Sequence, residues 1–496
     1  MPVIYSARWV VPITSPPIPA GAIALDGSTI LSVGPCARLQ KELPDAPVKE
    51  FDDAVILPGL VNVHSHLELS VMRGFLEKEE NDFFAWLRKL TVARLAMTAD
   101  DLLASAALGV IEAVRAGITC LGDSSSFAIQ PMRALKDIGL RGIVYQESFG
   151  PDSSLAEENV AKLREQLSEM CGVKTERVRP GVSPHAPYTV SARQLELISR
   201  LATEEKLPLM MHAAESKAER VFMMEGRGPF AEGLKKRGIE WRAPGVSTIQ
   251  YLARHGVLET KPLLAHCINV DETDLELIRN SGAGIGHCPK SNAKLSHGRA
   301  PFAEFIQHEI NVGLGSDSVA SNNTCDILEE ARFATLMARS VSEARPRGPQ
   351  AGSPAGVGRS GRASRESEPL SDSTSPRSTV PALPHGRASD TVSAQDALFA
   401  ATLGGARALG LDGQIGALKP GMQADIAIIS LSGAHQHPLS DPVETLVFTS
   451  SGRDVILTMV AGKEIYRDQT IATVDEPDFR QMANQVRAKI DTLNGP

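Results

Sequence analysis

The middle of this 496-residue chain alternates short apolar segments with amphipathic ones, and this alternation constrains the fold more than any other feature. Eight segments have the length and apolar character of buried strands: Val55–His66, Ile118–Asp123, Gly142–Glu147, Val178–Pro184, Pro208–His212, Leu263–His266, Ala283–His287 and Val312–Asp317. Helical patterns lie between them, at Asp101–Ala116, Glu157–Met170, Ala192–Lys206, Thr273–Asn280 and Ala303–Ile310. Such repeats favour a parallel sheet with right-handed crossovers, and eight of them predict an α/β fold of the (β/α)8 TIM-barrel type. An open doubly wound sheet is the alternative, although the sequence lacks the glycine-rich phosphate turn that such sheets often carry.

Both ends of the chain are rich in strand patterns. Near the start, two apolar segments flank Asp26 and Gly27, a pair typical of a hairpin turn. Similar segments return at 425–429 and 455–460. We expect the two ends to pair in a small composite β-sandwich domain made of residues 1–54 and 411–496, with the barrel formed by residues 55–410.

One segment interrupts the regular pattern. Residues from about 342 to 389 are dense in Gly, Ser, Pro and Arg, with almost no large apolar side chains. Such a composition buries too little apolar surface to offset the entropy of ordering, so we predict a disordered insertion. It separates two helical patterns, Ile327–Val341 and Ala394–Leu409.

The composition narrows the classes of function. Apolar residues make up 42% of the chain and charged residues 22%, which is ordinary for a globular protein. The net charge of −8 argues against a nucleic-acid or anionic-membrane surface, and no apolar run reaches the ~18 residues of a membrane span. Six scattered cysteines without a CxxC pair indicate reduced, buried thiols of a cytoplasmic protein. Cys267 and Cys288 each follow a histidine, but lie on the opposite strand face from it, which argues against thiol ligands.

Polar residues gather where five of the predicted strands end, and this is where barrel enzymes place their active sites. They are His64, His66, His185, His212, Glu215, His266 and Asp317. His64 and His66 point to the same side because side chains alternate along a strand. Three imidazoles and a carboxylate suit a catalytic Zn²⁺ whose open position binds water, and we predict the ligands His64, His66, His212 and Asp317.

Two further residues are predicted to move protons. Glu215 lies three residues after His212, just beyond the predicted ligands, where a carboxylate can carry a proton between water and substrate. His266 can orient or deprotonate the metal-bound water, or be a ligand itself.

Six motifs in a fixed order, PGLVNVHSH, SPHAPYT, HAAES, LLAHC, GIGHCPKSN and GLGSDSVASNN, resemble the amidohydrolase superfamily. They are most similar to its aminohydrolase branch, which includes nucleoside, S-adenosylhomocysteine, guanine and cytosine deaminases and triazine chlorohydrolases. The resemblance implies the same four metal ligands, with Glu215 and His266 as the proton-transfer pair and His185 facing the substrate. No lysine follows the fourth strand, which favours a single metal ion, and Fe²⁺ and Mn²⁺ accept the same ligands. Relatives are often homo-oligomers.

The chemistry that this resemblance implies is hydrolytic deamination of a heteroaromatic ring. A zinc-bound hydroxide attacks the ring carbon that bears an amine, while Glu215 protonates the adjacent ring nitrogen. His266 and Asp317 take the proton from water, and ammonia leaves. Dechlorination or amide hydrolysis by the same hydroxide is an alternative, and so is deamination of guanine or cytosine. A non-enzymatic scaffold would be expected to have lost ligands, whereas every ligand position here is filled.

The substrate depends on the segment after the first strand. Its HLELS and FxxWL motifs resemble deaminases of aminodeoxyfutalosine, a 6-aminopurine nucleoside, in which the tryptophan, here Trp86, contacts the substrate. Packing within a helix explains Trp86 equally well. Methylthioadenosine and S-adenosylhomocysteine deaminases carry a ribose-binding acid further on, but residues 91–95 contain none unless Glu68 substitutes for it. The three nucleosides are the expected small-molecule substrates.

Overall fold

A computed structural model describes residues 1–342 and 391–493 of the chain. In this part the strands are β1 Val3–Val10, β2 Ile18–Asp26, β3 Thr29–Pro35, β4 Val48–Pro58, β5 Leu60–Ser65, β6 Ile118–Ser125, β7 Arg141–Ser148, β8 Val178–Pro184, β9 Met210–Ala213, β10 Leu263–His266, β11 Gly284–His287, β12 Asn311–Leu314, β13 Ile426–Ser430, β14 Val455–Val460, β15 Lys463–Arg467 and β16 Thr470–Ile471.

The α-helices of the same residues are α1 Cys36–Glu42, α2 Phe83–Leu95, α3 Ala99–Arg115, α4 Ile129–Ile138, α5 Ala156–Val173, α6 Ala192–Glu204, α7 Lys217–Glu225, α8 Pro229–Lys236, α9 Thr248–Arg254, α10 Glu272–Ser281, α11 Pro289–Lys294, α12 Phe302–Gln307, α13 Val319–Asn322, α14 Ile327–Ser342, α15 Ala394–Phe399, α16 Gly405–Ala408, α17 Pro442–Phe448 and α18 Glu476–Asp491. The predicted helices are present with ends shifted by a few residues, as the amphipathic pattern allows. A π-helical segment, Ala400–Gly404, divides the helix predicted over Ala394–Leu409. Almost all of the predicted insertion, residues 343–389, lies outside the described residues.

Strands from the two ends of the chain share one sheet. Eight strands run in the order β16-β15-β14-β13-β4-β1-β2-β3, and β13 pairs antiparallel with β4. The Asp26–Thr29 pair closes the β2–β3 hairpin around Gly27, whose φ of 56° suits glycine. The predicted pairing of N-terminal with C-terminal strands is therefore present.

The single strand predicted over Val55–His66 is wrong, because the structure has two strands there. β4 ends at Pro58 in the eight-stranded sheet, and β5 begins at Leu60 in a different sheet. Gly59 lies between them, and a Cβ at this position would approach the Thr119 side chain to 2.1 Å. The proline–glycine pair was the available signal, since it breaks a run that is apolar on both sides.

The eight strands of the middle region form two four-stranded parallel sheets, ordered β5-β6-β7-β8 and β9-β10-β11-β12. Single ladder pairs join the sheets along both edges. Val182 pairs with Leu209 between β8 and β9, and Ser65 pairs with Asp317 between β5 and the residues after β12. The backbone N–H of Asp317 donates to the carbonyl of His64 over 2.9 Å. The carboxyl ends of the first and last strands therefore meet where the predicted metal ligands lie.

Apolar packing holds these sheets in place. Alternating buried positions of β5, β7, β9 and β10 contact one another in one cluster, whereas the helices pack on the other strand faces in a larger one. Among the described residues, every helix is too short or too polar to cross a bilayer.

Candidate metal centre and proton-transfer site

The first two predicted ligands follow from the local structure of β5. His64 is completely buried at the end of this strand, and His66 follows it at the start of a short 3₁₀ segment. Asp123, at the end of β6, accepts hydrogen bonds from the hydroxyl of Ser65 and from the backbone N–H of Leu67. This carboxylate fixes the turn, so both imidazoles are held toward the same space.

Asp317 lies three residues after β12, in a loop and not within the predicted strand Val312–Asp317. Its φ is 55°, a left-handed conformation that is uncommon for a non-glycine residue. Its Oδ1 lies 3.5 Å from Nε2 of His64 and 3.4 Å from Nε2 of His66. The hydroxyl groups of Ser291 and Ser321 donate to Oδ2, so the second oxygen is held while the first faces the histidines.

His212 joins the same group from the end of β9. Its Nδ1–H donates to the backbone carbonyl of His185 over 2.9 Å, which leaves Nε2 free to bind a metal. That Nε2 lies 3.3 Å from Nε2 of His66. The ring of His185 lies beside that of His212, tilted by 43° with 4.7 Å between centroids, and its Nδ1 donates to the hydroxyl of Thr189.

Three overlapping sets of side chains can each hold a metal ion, with ligand atoms within 4.8 Å of one another: His64, His212 and His266; His64, His66 and Asp317; His66, Glu147 and His212. The four predicted ligands therefore lie together, with His266 at the edge of the group. Burial lowers the pKa of His64 to about 3 and also lowers that of His212, so both rings are neutral at pH 7, as a metal requires. Within the described residues, neither ring nitrogen of His64 has a hydrogen-bond partner. An orphaned, neutral imidazole beside a carboxylate fits a bound divalent metal.

Glu215 lies beside this group, on the loop between β9 and α7. His266 Nε2 is 3.7 Å and His297 Nδ1 is 3.2 Å from the same oxygen, Oε1. Burial acts to raise the pKa of Glu215, but the charges of His266 and His297 hold it well below its usual range. The predicted pairing of Glu215 with His266 is thus compatible with the geometry, and His297 is an additional partner.

The loop that presents Glu215 is fixed by a second carboxylate. Glu219 is completely buried, and its two oxygens accept hydrogen bonds from the backbone N–H groups of Ala214 and Glu215. Thr248 donates to it as well. Ala214 has a φ of 52°, so these bonds stabilise a backbone turn that an alanine rarely adopts.

Two neighbouring residues of α11 hold groups of the site. Asn292 accepts a hydrogen bond from Nδ1–H of His266 over 2.9 Å, which orients the ring so that its Nε2 faces Glu215. Ser291 donates to Asp317, as described above. α11 begins at Pro289, a residue that suits the first helical position, directly after β11 and Cys288.

Sequence reasoning missed Glu147, although it ends a predicted strand and carried the same signal as the histidines. Its Oε1 is 4.0 Å from Nδ1 of His66, and its Oε2 accepts a hydrogen bond from the Ser126 hydroxyl over 2.7 Å. Burial acts to raise its pKa, but His185, His66 and Arg94 lower it to about 2, so Glu147 stays ionised.

Glu68 and Arg94 lie behind Glu147. The Arg94 guanidinium is 3.7 Å from Glu147 and 3.5 Å from Glu68. Glu68 is completely buried, and its two oxygens accept hydrogen bonds from the backbone N–H groups of Ser126 and Phe127. Burial raises its pKa to about 7. Because both oxygens are used inside the protein, this geometry speaks against Glu68 as the ribose-binding acid.

Trp86, on α2, is 6% exposed and packs in an apolar cluster, so its ring serves helix packing. Its indole N–H is nevertheless buried without a partner among the described residues. α2 also contributes Phe83 and Phe84 to a continuous row of aromatic rings around the site, with neighbouring centroids 3.9–6.2 Å apart. In order these are His297, Phe83, Phe84, Phe230, Tyr188, His185 and Phe149.

The cysteines take no part in the candidate ligand sets found among the described residues. All six lie in that part of the chain and are free thiols. Cys267 and Cys288 are completely buried, and burial raises the pKa of both well above its usual value, which disfavours a metal-binding thiolate. Cys171, by contrast with the expectation of buried thiols, is exposed.

Comparisons with known proteins show which family the chain belongs to. The chain is 29% identical over 457 residues to the 5-methylthioadenosine/S-adenosylhomocysteine deaminase of Pelotomaculum thermopropionicum. This alignment covers 92% of this chain and 90% of the relative. An adenosine deaminase from Xanthomonas campestris, solved with bound zinc, superposes with a TM-score of 0.79 at 24% identity, covering 99% and 98% of the two chains. An atrazine chlorohydrolase from Arthrobacter aurescens, also solved with zinc, gives a TM-score of 0.78 at 19% identity over 98% and 100%. The model of the amidohydrolase family matches residues 55–353 and 376–465. The chain therefore belongs to the amidohydrolase family.

Proposed function

We propose that this protein is a zinc-dependent hydrolytic deaminase of a 6-aminopurine nucleoside. The observation that carries the proposal is the position of Glu215, which lies beside a cluster of buried histidines and Asp317 while contacting His266 and His297. Family membership and the deaminases among the relatives support it. Methylthioadenosine, S-adenosylhomocysteine and aminodeoxyfutalosine are the substrates to test first.

The residues present fit one divalent metal. His64, His66, His212 and Asp317 would hold it through Nε2 atoms and Oδ1. A metal ion bound there would lower the pKa of a bound water to about 7 and so provide a nucleophile at neutral pH. Zinc is proposed because three imidazoles and one carboxylate are typical of its catalytic sites, while iron and manganese accept the same donors.

The chain's own residues would then move the protons. Glu215 accepts one proton from water and delivers it to the ring nitrogen next to the amine-bearing carbon. Asp317 and His266 take the second proton and pass it to the departing amine. A carbon–oxygen bond forms and the carbon–nitrogen bond breaks, so the products are a ring carbonyl and ammonia. Asn292 holds His266 in the tautomer whose Nε2 can accept a proton.

The surroundings favour a planar substrate. The row of aromatic rings from His297 to Phe149 offers faces and edges for stacking against a flat heterocycle. His185, which stacks on Phe149 at 4.7 Å and lies next to His212, is proposed to face the substrate. Trp86 is proposed to contact the substrate through its indole N–H, which is buried without an acceptor among the described residues.

The larger organisation is part of the same proposal. We propose that β5–β12 close into a (β/α)8 barrel, supported by the ladder pairs at both edges of the two parallel sheets. We place the boundary with the domain built from both chain ends at Gly59, where β4 gives way to β5. A homo-oligomer in the cytoplasm is the expected state.

Metal analysis and a substrate screen test the proposal. We expect one zinc per chain in the wild type, and a loss of both metal and activity in His212→Ala. The screen follows ammonia and chloride release from the three nucleosides, adenosine, guanine, cytosine and a chlorotriazine. Turnover of chlorotriazine or a free base without any adenine nucleoside would overturn the substrate class, and a metal-free protein with unchanged activity would overturn the metalloenzyme.

A further inference from the structure

His297 is a buried imidazole that the reaction described so far does not use. It lies in the turn after α11, is 8% exposed, and has Nδ1 3.2 Å from Oε1 of Glu215. Its ring meets the edge of Phe83, on α2, with 4.7 Å between centroids. Glu215 is the residue proposed to carry the proton, so a second imidazole on its carboxylate bears on the chemistry.

The backbone around His297 is built to hold its ring at this place. Ser296 and Gly298 on either side have φ angles of 57° and 111°, so the chain turns sharply through His297. The backbone N–H of His297 donates to the carbonyl of Asn292 over 3.0 Å. Since the side chain of Asn292 accepts from His266, a single residue anchors both imidazoles that contact Glu215.

The contacts of His266 and His297 with Glu215 are made to one oxygen of its carboxylate. Both His266 and His297 approach Oε1, at 3.7 Å and 3.2 Å. Tyr188 also faces Glu215, and burial together with the charge of Glu215 raises the pKa of Tyr188 well above its usual value. Among the described residues Nδ1 of His297 has no hydrogen bond of good geometry, so it meets Oε1 at 3.2 Å as a charge contact. Such a contact favours one orientation of the carboxylate, and proton transfer to a ring nitrogen depends on such alignment.

We infer that His297 is a positioning residue for the proposed deamination: by holding Oε1 of Glu215 it presents Oε2 to the ring nitrogen of the substrate. The inference rests on the proposed function for its catalytic consequence, and on the geometry alone for the contact itself. A buried histidine–carboxylate pair that serves only stability would hold Glu215 without affecting the rate of the chemical step.

Kinetics of two variants distinguish these roles. We expect His297→Ala to lower kcat about 100-fold, with KM little changed and zinc content equal to that of the wild type. His297→Asn keeps an N–H donor near Oε1 and is expected to restore part of kcat. His255→Ala is the matched control, since Nδ1 of His255 also contacts a glutamate, Glu196, at 3.0 Å, but outside the site. A His297→Ala enzyme with wild-type kcat would overturn the inference.

A measurement without turnover separates this inference from the proposed function. The imidazole ¹⁵N signals of His297 in the zinc-loaded protein are compared between the wild type and Glu215→Gln. We expect a change in the Nδ1 signal of His297 and none at His255. Unchanged signals would overturn the inference even in an active enzyme. If the wild type turns over no substrate while the His297 signal responds, the proposed function fails and the contact stands.

Discussion

Two buried carboxylates, Glu215 and Glu147, border the same histidine cluster, but their cationic partners differ in chemistry. Glu215 is contacted by two imidazoles, His266 and His297, whereas Glu147 shares the guanidinium of Arg94 with Glu68. An imidazole gains or loses a proton near neutral pH, but a guanidinium keeps its charge. Glu215 is therefore suited to exchanging protons, and Glu147 to holding a fixed negative charge beside His66.

The largest expected difference between the two is in catalysis. Glu215→Gln should lower kcat/KM about 1000-fold, because an amide cannot carry a proton between water and the ring. Glu147→Gln should cost about tenfold or less, because it removes charge but no proton carrier. Steady-state kinetics at saturating zinc measures both, with zinc content as the control for folding. Equal losses in the two variants would contradict the division of roles.

The next largest effect concerns the stability of the protein, and it comes from Arg94, the cationic partner of Glu147. Arg94→Met should lower the free energy of unfolding by about 3–5 kcal/mol, since it leaves two buried carboxylates without their cation. Urea denaturation measures this change.

Arg164→Met is the control for Arg94, because Arg164 pairs with Glu205 on the surface, where both side chains are about half exposed. We expect a change of less than about 1 kcal/mol there. Adding Glu68→Gln to Arg94→Met should recover part of the loss, and a double variant no more stable than the single one would argue against the shared guanidinium.

The smallest effect is a dependence on pH, and it comes from Glu219, beneath Glu215. Burial raises the pKa of Glu219 from 4.5 to about 7, so the folded protein keeps a proton that the unfolded chain has released. The stability that this residue contributes is present below about pH 4.5 and lost as the pH rises towards about 7. We expect the wild type to lose on the order of 2–3 kcal/mol relative to Glu219→Gln across this range.

Urea denaturation at pH 5 and pH 8, both at saturating zinc, measures the pH effect at Glu219. A difference between wild type and variant that is the same at both pH values would show that Glu219 is ionised throughout.

Much of the fold could be predicted because apolar strands and amphipathic helices leave a local pattern. The convergence of the four proposed metal ligands could be predicted for a related reason: parallel strands bring their carboxyl ends together, so polar residues at strand ends converge. Glu147 carried the same signal and was overlooked. The break at Gly59 was also visible, but the apolar run on both sides of it favoured a single strand.

His297, Asn292 and Glu219 lie beyond what a local pattern can predict. His297 reaches Glu215 from a turn 82 positions further along the chain, and its approach depends on backbone angles that no periodicity encodes. Glu219 lies on a helix, and its sequence pattern alone suggests a solvated charge. In the folded protein it is buried and accepts a hydrogen bond from the hydroxyl of Thr248. The partners of Glu68 could not be predicted for a similar reason, because Ser126 and Phe127 follow a different strand.

The hydrogen bond from Asp317 to the carbonyl of His64 has a consequence for how the molecule opens. It joins the first and last parallel strands across some 250 residues of intervening chain, and the side chains of the same two residues face each other in the proposed ligand group. A metal ion held there would tie the two edges together from the inside. Removing it would first loosen this one junction, so chelation is expected to speed hydrogen exchange at the Asp317 amide before it affects the strands opposite.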